Sequence, residues 1–323
     1  MSLSDTSPAA PSCWIITEGM AGTENQCLGV AEALGLTPIL KRIALRQPWK
    51  SLSPWLNYEC AHIFIPALEP PWPDLLIASG RKSIAASRYI RKMSGGKTLT
   101  VQIQDPRTNP AQFDLVAVPA HDPTRGENVL VTTASPNRVT QARLERAKTE
   151  FPDFANIKAP RVAVLIGGTS KAYKMTRPIT EKLAAQLRTL SAQAGLMITA
   201  SRRTGAENER ILQDALAGTD AFIWDGSGDN PYFGFLAWAD IILVTADSAS
   251  MLSEAATTGK PVYMIELEGG APRLNALHRN LIEKKIVRPF EGVLENWSYD
   301  AITDAQHVAD AIRKRLEARG IRV

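Results

Sequence analysis

One segment, from Leu236 to Glu266, constrains the fold of this chain more than any other. An apolar run, Ile241 to Thr245, ends at the polar turn Ala246-Asp247-Ser248, and a short helical pattern then leads to Gly259-Lys260-Pro261 and a second apolar run. Apolar runs of about four to eight residues bounded by turn residues are typical of buried strands. The segment therefore predicts strand, turn, helix, turn and strand, the repeating unit of an α/β protein with a parallel sheet.

The turn after the first of these strands carries small polar side chains, and a glutamate follows on the helix. In an open α/β sheet, ligands bind outside the carboxyl ends of the strands, where helix N-termini favour anions. We therefore expect Asp247, Ser248 and Ser250 to contact a ligand, and we expect Glu254 to accept hydrogen bonds from a sugar hydroxyl. The alternative is an ordinary strand, helix and strand unit in which Ser248 or Ser250 only caps the helix.

Strand-like and helix-like patterns alternate in two series along the chain, and its 323 residues exceed the usual size of a single core. We predict two Rossmann-like doubly wound domains, residues 14–136 and 161–300, that face a ligand-binding cleft. Residues 137–160 are predicted to form a linker helix, and residues 301–323 a C-terminal helix that is able to pack back on the first domain. Residues 1–13 are expected to be a disordered tail.

Composition excludes several classes of protein. The net charge of +4 is small for this length, so nucleic acid is not an expected partner. The three cysteines, Cys13, Cys27 and Cys60, lack metal-ligand spacing, which indicates a reducing compartment and no structural metal. The N-terminus lacks the pattern of a secretory signal, and no apolar run approaches the ~20 residues of a membrane span. We expect a cytoplasmic protein, with peripheral attachment to a membrane left open.

The first strand-like run is followed by a glycine-containing turn that spaces Gly19 and Gly22 as G-x-x-G. Glycines at these positions would let the backbone approach a ligand closely, and Thr23 is a candidate helix cap. The turn lacks both the G-x-G-x-x-G dinucleotide fingerprint and a Walker A lysine, so neither NAD nor ATP is an expected cofactor. The alternative is a glycine turn needed only for packing.

Two turns of the second half could bind a diphosphate together. Gly167-Gly168-Thr169-Ser170-Lys171 has the composition of an anion-binding nest, and Arg202-Arg203 ends the next strand with guanidinium groups suited to bidentate contacts. Each helix-terminus contact contributes only ~0.3–1 kcal/mol, while millimolar binding already needs about 4 kcal/mol. A ring of strand ends is therefore required. A plain tight turn and a solvated basic turn are the alternatives.

Three titratable side chains of the first half are candidates for a general base. Glu24 follows the first glycine turn, Asp105 ends a strand within Gln104-Asp105-Pro106-Arg107, and His121 ends the next strand. Glu24 or Asp105 could accept the proton of an acceptor hydroxyl, given a suitable pKa and reach, and His121 is a second candidate. A structural hydrogen-bonding role is the alternative for each of them.

Several sequence motifs, taken in order along the chain, resemble those of the mitochondrial fission Elm family, which has many bacterial members. The resemblance extends from about Trp14 to the closing helices. It is carried by the segments GMAGTENQCLGVAEALGL, IQDPR, FDLVAVPAHD, VLIGGTS, SRRTG and NPYFGFLAWADIILVTADSASMLSEAATTGKPVY.

The Elm family is in turn similar to GT-B glycosyltransferases, which have two Rossmann-like domains and bind a nucleotide-sugar donor mainly in the C-terminal one. The resemblance therefore implies an acceptor side in residues 14–136, a donor side in residues 161–300 and no bound metal. It places Ser248, Ser250 and Glu254 at positions similar to those that contact the donor. Some GT-B enzymes carry a histidine as base in the first glycine-rich loop, whereas this chain has Thr23 and Glu24 in that neighbourhood.

Two functions from different classes follow. The first is binding of a nucleotide-diphosphate sugar and glycosyl transfer to an unknown acceptor. The second is a noncatalytic adaptor, because the resemblance implies that the plant Elm protein recruits a dynamin-related GTPase to mitochondria; its partner would be such a GTPase or a membrane protein. A third function, an NAD-dependent epimerase, is disfavoured by the missing dinucleotide fingerprint.

Overall fold

The computed structural model of the protein describes residues 10–323, and these residues form two compact units. The first unit runs to Arg138 and includes Thr303–Val323, and the second is Val139–Ile302. Residues 1–9 of the tail predicted for residues 1–13 lie outside the described residues. The predicted tail is too long at its other end, because Cys13 is the first residue of a strand.

Short strands alternate with helices through both units. The strands are β1 (Cys13–Thr17), β2 (Ile39–Arg42), β3 (Ala44–Leu45), β4 (Phe64–Ile65), β5 (Leu75–Ser79), β6 (Leu99–Ile103), β7 (Leu115–Pro119), β8 (Val129–Thr132), β9 (Arg161–Ile166), β10 (Tyr173–Lys174), β11 (Gly195–Ala200), β12 (Phe222–Ile223), β13 (Ile241–Thr245), β14 (Val262–Ile265), β15 (Glu268–Gly269) and β16 (Val287–Pro289). The α-helices are α1 (Ala21–Ala33), α2 (Trp49–Leu52), α3 (Ser83–Met93), α4 (Gln141–Glu150), α5 (Arg177–Ser191), α6 (Ala206–Leu216), α7 (Tyr232–Trp238), α8 (Ala249–Thr257), α9 (Pro272–Glu283) and α10 (Asp304–Glu317).

The first unit is built on a parallel sheet with the strand order β2-β1-β5-β6-β7-β8. Every residue of β1, β5, β6 and β7 is buried, as expected for parallel strands covered on both faces. The direction of the strand order reverses between β1 and β5. This reversal is the topological switch point of the sheet, and ligands of doubly wound sheets bind outside the carboxyl ends of the strands at such a point.

The C-terminal helix completes the core of the first unit. Val308, Ala309, Ile312 and Leu316 of α10 are fully buried against an apolar cluster that includes Val30 of α1. Their spacing of one, three and four residues places them on one helix face, so the apolar stripe of α10 explains where the helix packs.

We expect Asp304→Ala to destabilise the first unit strongly. The buried Asp304 carboxylate accepts hydrogen bonds from the amides of Thr133 at 2.9 Å and Ala134 at 2.7 Å, beyond the end of β8. Removing it leaves two amides without that acceptor, at about 1–3 kcal/mol each, so the free energy of unfolding should fall by about 3 kcal/mol in urea titrations. Asp310→Ala, which removes a partly exposed pair with Arg313 on the same helix, is the control and should cost under about 0.5 kcal/mol. Equal effects of the two substitutions would contradict this account.

The second unit has the strand order β12-β11-β9-β13-β14-β16, again all parallel. This is the 3-2-1-4-5-6 order of a Rossmann fold, and its switch point lies between β9 and β13. The stretch that the sequence analysis treated as a linker helix contains α4, which packs against α7 of this unit, and Trp238 Nε1 donates to the Phe151 carbonyl at 2.8 Å. The helix α7 precedes β13 directly and ends at Trp238.

Candidate functional site

The switch point of the second unit brings together three turns that the sequence analysis had singled out. Residues 167–170 follow β9, Arg202 and Arg203 follow β11, and residues 246–248 follow β13. Because β9 lies between β11 and β13 in the sheet, all three turns end neighbouring strands at the same edge.

Two glycines allow these turns to approach one another. A Cβ atom at Gly167 would lie 2.3 Å from the Asp247 carboxylate oxygens. Gly168 has a φ of +133°, and a Cβ there would lie 2.2 Å from the carbonyl oxygen of Arg203. Only glycine fits both the backbone conformation and the space at position 168. The sequence Gly167-Gly168 is therefore explained by the packing of the β9 turn between its two neighbours.

Asp247 ties the three turns together. Its Oδ1 accepts from Thr245 Oγ1 at 2.7 Å, and Thr245 Oγ1 in turn accepts from the Gly167 amide at 2.7 Å. Its Oδ2 accepts from Arg203 Nη2 at 2.6 Å. The Asp247 side chain is fully buried while that of Arg203 is 46% exposed. The carboxylate therefore fixes the Arg203 guanidinium in place and leaves part of it accessible to a ligand.

The amides of the β9 turn are largely used within the protein. Gly167 donates to Thr245 Oγ1, Thr169 to the Arg203 carbonyl, and Ser170 to the Tyr173 carbonyl. The hydroxyl groups of Thr169 and Ser170 accept from the amides of Met175 and Tyr173. These bonds make the turn rigid, and they leave it fewer donors for an anion than the predicted nest would offer.

The N-terminus of α8 is the second source of donors at this edge. Ser248 is the N-cap, and its Oγ accepts from the Met251 amide at 3.3 Å, which confirms the cap that the sequence had suggested. The first amides of a helix have no acceptor within the helix. Those of Ala249 and Ser250 therefore remain as donors for an anion bound at the end of β13.

Glu254 lies one turn further along α8 and is buried. Its Oε2 accepts from the Tyr232 hydroxyl at 2.5 Å. Burial raises the pKa of Glu254 to about 7, although the Tyr232 hydrogen bond and the charge of Arg143 favour the ionised form. Tyr232 and Arg143, which the sequence analysis did not select, thus help to set the charge of this carboxyl.

A cavity of about 340 Å³ opens beside Arg202 at the ends of β11 and β12. Ser201, Trp224 and Asp225 also line it, so it offers both an aromatic surface and polar groups. Its volume is at the small end of the range of ligand pockets. Arg202 therefore lies beside a pocket, whereas Arg203 is held at the switch point.

In the first unit, Glu24 is engaged by a neighbouring strand. Arg42 donates to both of its carboxylate oxygens, through Nε at 2.6 Å and Nη2 at 3.0 Å, and Thr17 Oγ1 donates at 3.3 Å. The Arg42 hydrogen bonds lower the pKa of Glu24. Gly19 has a φ of +87° and faces the Arg42 side chain, whereas Gly22 lies inside the first turn of α1.

Thr23 does not cap α1 through its side-chain oxygen. The N-cap is Met20, and Thr23 Oγ1 donates to the Met20 carbonyl at 2.8 Å. Because α1 begins at Ala21, position 23 is already helical.

Asp105 lies in a turn with unusual backbone geometry. Gln104 and Arg107 have φ values of 73° and 53°, which are uncommon for residues with side chains. Asp105 Oδ1 accepts from the Arg107 amide at 2.8 Å and from Thr124 Oγ1 at 2.6 Å. His121 Nε2 is 3.9 Å from an oxygen of the neighbouring Asp122. Both candidate bases, Glu24 and Asp105, therefore have hydrogen-bonding partners within the unit.

One glutamine links three strand ends of the first unit. Gln26 Oε1, on α1 after β1, accepts from Gln104 Nε2 at 2.9 Å and from Ser79 Oγ at 3.3 Å. Glu18 adds a second link, since it accepts from the Lys82 amide and pairs with Lys82 Nζ at 2.9 Å. Neither Gln26 nor Lys82 could be selected from the sequence, because an isolated glutamine or lysine carries no motif.

Residues 10–323 contain no group of three or more His, Cys, Asp or Glu side chains that could hold a metal ion. Within the same range, no helix is long and apolar enough to cross a bilayer.

Two doubly wound parallel units with these topologies define a GT-B fold, and solved structures agree. The chain is similar to MurG of Acinetobacter baumannii, with a TM-score of 0.54 and 15% identity over 94% of this chain and 100% of that one. It is also similar to a UDP-GlcNAc 2-epimerase from Neisseria meningitidis solved with UDP-GlcNAc bound, with a TM-score of 0.51 and 15% identity over 95% and 99% of the two chains. At this identity the similarity establishes the fold.

Within that fold class, the chain belongs to the mitochondrial fission ELM1 family, whose model matches residues 21–316. It is 28% identical to the mitochondrial fission protein ELM1 of Arabidopsis thaliana, over 95% of this chain and 91% of the plant protein. It is 27% identical to an uncharacterised protein of Rickettsia prowazekii, over 94% of this chain and 98% of that protein.

Proposed function

We propose that the second unit binds a nucleotide-diphosphate sugar at the switch point between β9 and β13. The observation that carries this proposal is the buried Asp247 carboxylate, which holds Arg203 beside the N-terminus of α8. A cation fixed next to free helix amides is suited to a diphosphate, because guanidinium groups bind phosphate oxygens bidentately and the helix dipole favours negative charge.

The remaining parts of the donor have candidate partners nearby. Ser248 and Ser250 lie at the first turn of α8, and Glu254 is a buried carboxyl suited to accept from a sugar hydroxyl. Arg202 lines the cavity at the ends of the neighbouring strands β11 and β12. Gly167, Gly168, Thr169 and Ser170 would shape the wall of this site. The Neisseria meningitidis epimerase, which shares the fold, is solved with UDP-GlcNAc, and this supports a uridine-diphosphate sugar as the first donor to test.

Glycosyl transfer would use this site as its donor side. The acceptor hydroxyl oxygen would form a bond to the anomeric carbon while the bond from that carbon to the diphosphate oxygen breaks. Arg203 and the α8 amides would stabilise the charge on the departing diphosphate, and Asp105 or Glu24 would accept the hydroxyl proton. Asp105 is the better candidate of the two, since Arg42 binds both oxygens of Glu24 and lowers its pKa.

A noncatalytic adaptor is the second candidate function. It is favoured by the ion pair between Arg42 and Glu24, because a carboxylate bound bidentately by an arginine makes a poor general base. It is also favoured by the similarity to a plant protein named for mitochondrial fission. In this case the fold would present surfaces to a dynamin-related GTPase or a membrane partner, and the strand-end site would bind a nucleotide sugar without turnover or not at all.

We expect the protein to be stabilised by nucleotide-diphosphate sugars and by the matching nucleoside diphosphate. A ligand at 100 times its dissociation constant adds ~2.7 kcal/mol to the free energy of unfolding, which thermal-shift measurements with UDP-GlcNAc, UDP-glucose, GDP-mannose and UDP would detect.

Arg203→Gln should weaken diphosphate binding by about tenfold or more and leave binding of the bare nucleoside unchanged, as calorimetry would show.

Arg210→Gln, at an exposed position of α6 in the same unit, is the matched control and should bind like the wild type. Donor binding that is unchanged in Arg203→Gln would contradict the site, and no stabilisation by any nucleotide would remove the donor proposal altogether. Binding without release of labelled sugar to water or to an acceptor would favour the adaptor.

A further inference from the structure

The first unit exposes an aromatic surface that the donor site does not use. We define the aromatic segment as residues 46–58, which includes α2. Leu52 is 48% exposed, Trp55 65% and Tyr58 81%. Trp55 and Tyr58 are both well over half exposed and lie three positions apart, with the partly exposed Leu52 just before them, and this marks an interaction surface.

Hydrogen bonds from a buried side chain hold the backbone on both sides of Trp55 in place. One guanidinium, that of Arg88 on α3, donates to the carbonyl of Pro54 at 2.7 Å and to that of Leu56 at 2.9 Å, on either side of Trp55. Arg88 also forms an ion pair with Glu59, and the two side chains are only 9% and 7% exposed. A buried ion pair thus holds the backbone that presents the indole to solvent.

The charges of the segment are all of one sign. Arg46 and Lys50 are exposed, no acidic residue occurs between positions 46 and 58, and the Glu59 carboxylate that follows is paired with Arg88. Tryptophan and tyrosine are enriched at the level of lipid headgroups, because their rings are apolar and their N–H or O–H groups are polar. Lysine and arginine add attraction to anionic lipids. Exposed amphipathic aromatics that follow two exposed cations in the same segment fit the surface of an anionic bilayer.

We propose that the aromatic segment docks the protein on an anionic membrane, with Trp55 and Tyr58 at the headgroup level and Arg46 and Lys50 at the lipid phosphates. This proposal is independent of donor binding, since the segment belongs to the first unit and shares no residue with the switch point of the second. It assigns the surface to a lipid bilayer, and not to another protein.

The test is co-sedimentation of the full chain with vesicles of phosphatidylcholine containing about 30% phosphatidylserine. We expect binding that falls in about 0.5 M NaCl, where the Debye length is short. Trp55→Ala combined with Tyr58→Ala should reduce the partition coefficient about tenfold or more, and Lys50→Glu about fivefold. The control is Phe222→Ala, which removes a 40% exposed aromatic from β12 of the second unit and should leave vesicle binding unchanged.

A second readout locates the contact. Brominated lipid should quench part of the tryptophan fluorescence of the wild type, and Trp55→Phe should lose that quenching while its unfolding temperature is unchanged. Vesicle binding by the wild type that is absent, or that is equal in the double variant, would overturn the proposal. Quenching that is undiminished in Trp55→Phe would overturn it as well, because the exposed indole would then make no contact with the lipid.

Discussion

Gly168→Ala is expected to be the most damaging single substitution in the second unit. The new Cβ would lie 2.2 Å from the Arg203 carbonyl oxygen and 2.5 Å from the Thr204 amide nitrogen, and the φ of +133° is one that alanine rarely adopts. Backbone atoms cannot move aside as a flexible side chain can, so the β9 and β11 turns must separate. We expect a loss of about 3–5 kcal/mol in the free energy of unfolding, measured by urea titration, together with the loss of stabilisation by a nucleotide sugar.

Gly205→Ala is the matched control for the clash. Gly205 also has a positive φ, of +81°, but a Cβ there would meet no atom within 4 Å. Its substitution should cost only the backbone strain, about 1–3 kcal/mol at a φ of 81° and a ψ of 146°. If Gly168→Ala and Gly205→Ala cost the same, the close approach of the two turns does not control the site.

The strands that the sequence predicts well are those buried on both faces. β13 has the predicted bounds, Ile241 to Thr245, because a continuous apolar run with turn residues at each end leaves little freedom in where the strand begins and stops. β8 and β16 were not predicted. Both lie at the edge of their sheets, and β8 has partly exposed residues. An edge strand is recognised through its pairing with a neighbour, and this pairing is not a property of the local sequence.

The candidate site was predictable at the level of turns and not at the level of contacts. Parallel strands end at one edge, so the positions of the β9, β11 and β13 turns follow from the chain order. The contacts of Asp247 with Arg203 and of Glu254 with Tyr232 join residues 44 and 22 positions apart. Such pairs depend on how helices and strands pack, and no motif or periodicity specifies them. For the same reason, the ion pair between Arg42 and Glu24 could not be foreseen.

The ion pair between Glu24 and Arg42 bears on the choice between the two candidate functions. An enzyme of the proposed type needs a base on the acceptor side, and the first unit offers one carboxylate held by an arginine and another, Asp105, in a strained turn. Strained turns at strand ends are often functional. Donor turnover that depends on Asp105 would therefore favour the enzyme, and turnover-free donor binding would favour the adaptor.

The second large effect that we expect is a dependence of stability on pH caused by Glu254. Its pKa is raised from 4.5 in the unfolded chain to about 7 by burial, so the folded state holds the proton more tightly than the unfolded state. The free energy of unfolding therefore falls as pH rises from about 4.5 to about 7, and the loss is complete above that range. With about 1.4 kcal/mol for each pH unit, the change approaches 3 kcal/mol.

Glu254→Gln removes the titrating group and keeps an acceptor for the Tyr232 hydroxyl. We expect the difference in free energy of unfolding, variant minus wild type, to become more positive by about 3 kcal/mol between pH 4.5 and pH 8 in urea titrations. Glu283→Gln, at an exposed position of α9, should give a difference that is flat over the same range. A flat difference for Glu254→Gln would mean that the buried carboxyl is stabilised as the anion in the folded state. A bound nucleotide sugar whose hydroxyl donates to Glu254 would favour the same anion, so saturating donor should shrink the pH dependence of the wild type and leave that of Glu254→Gln unchanged.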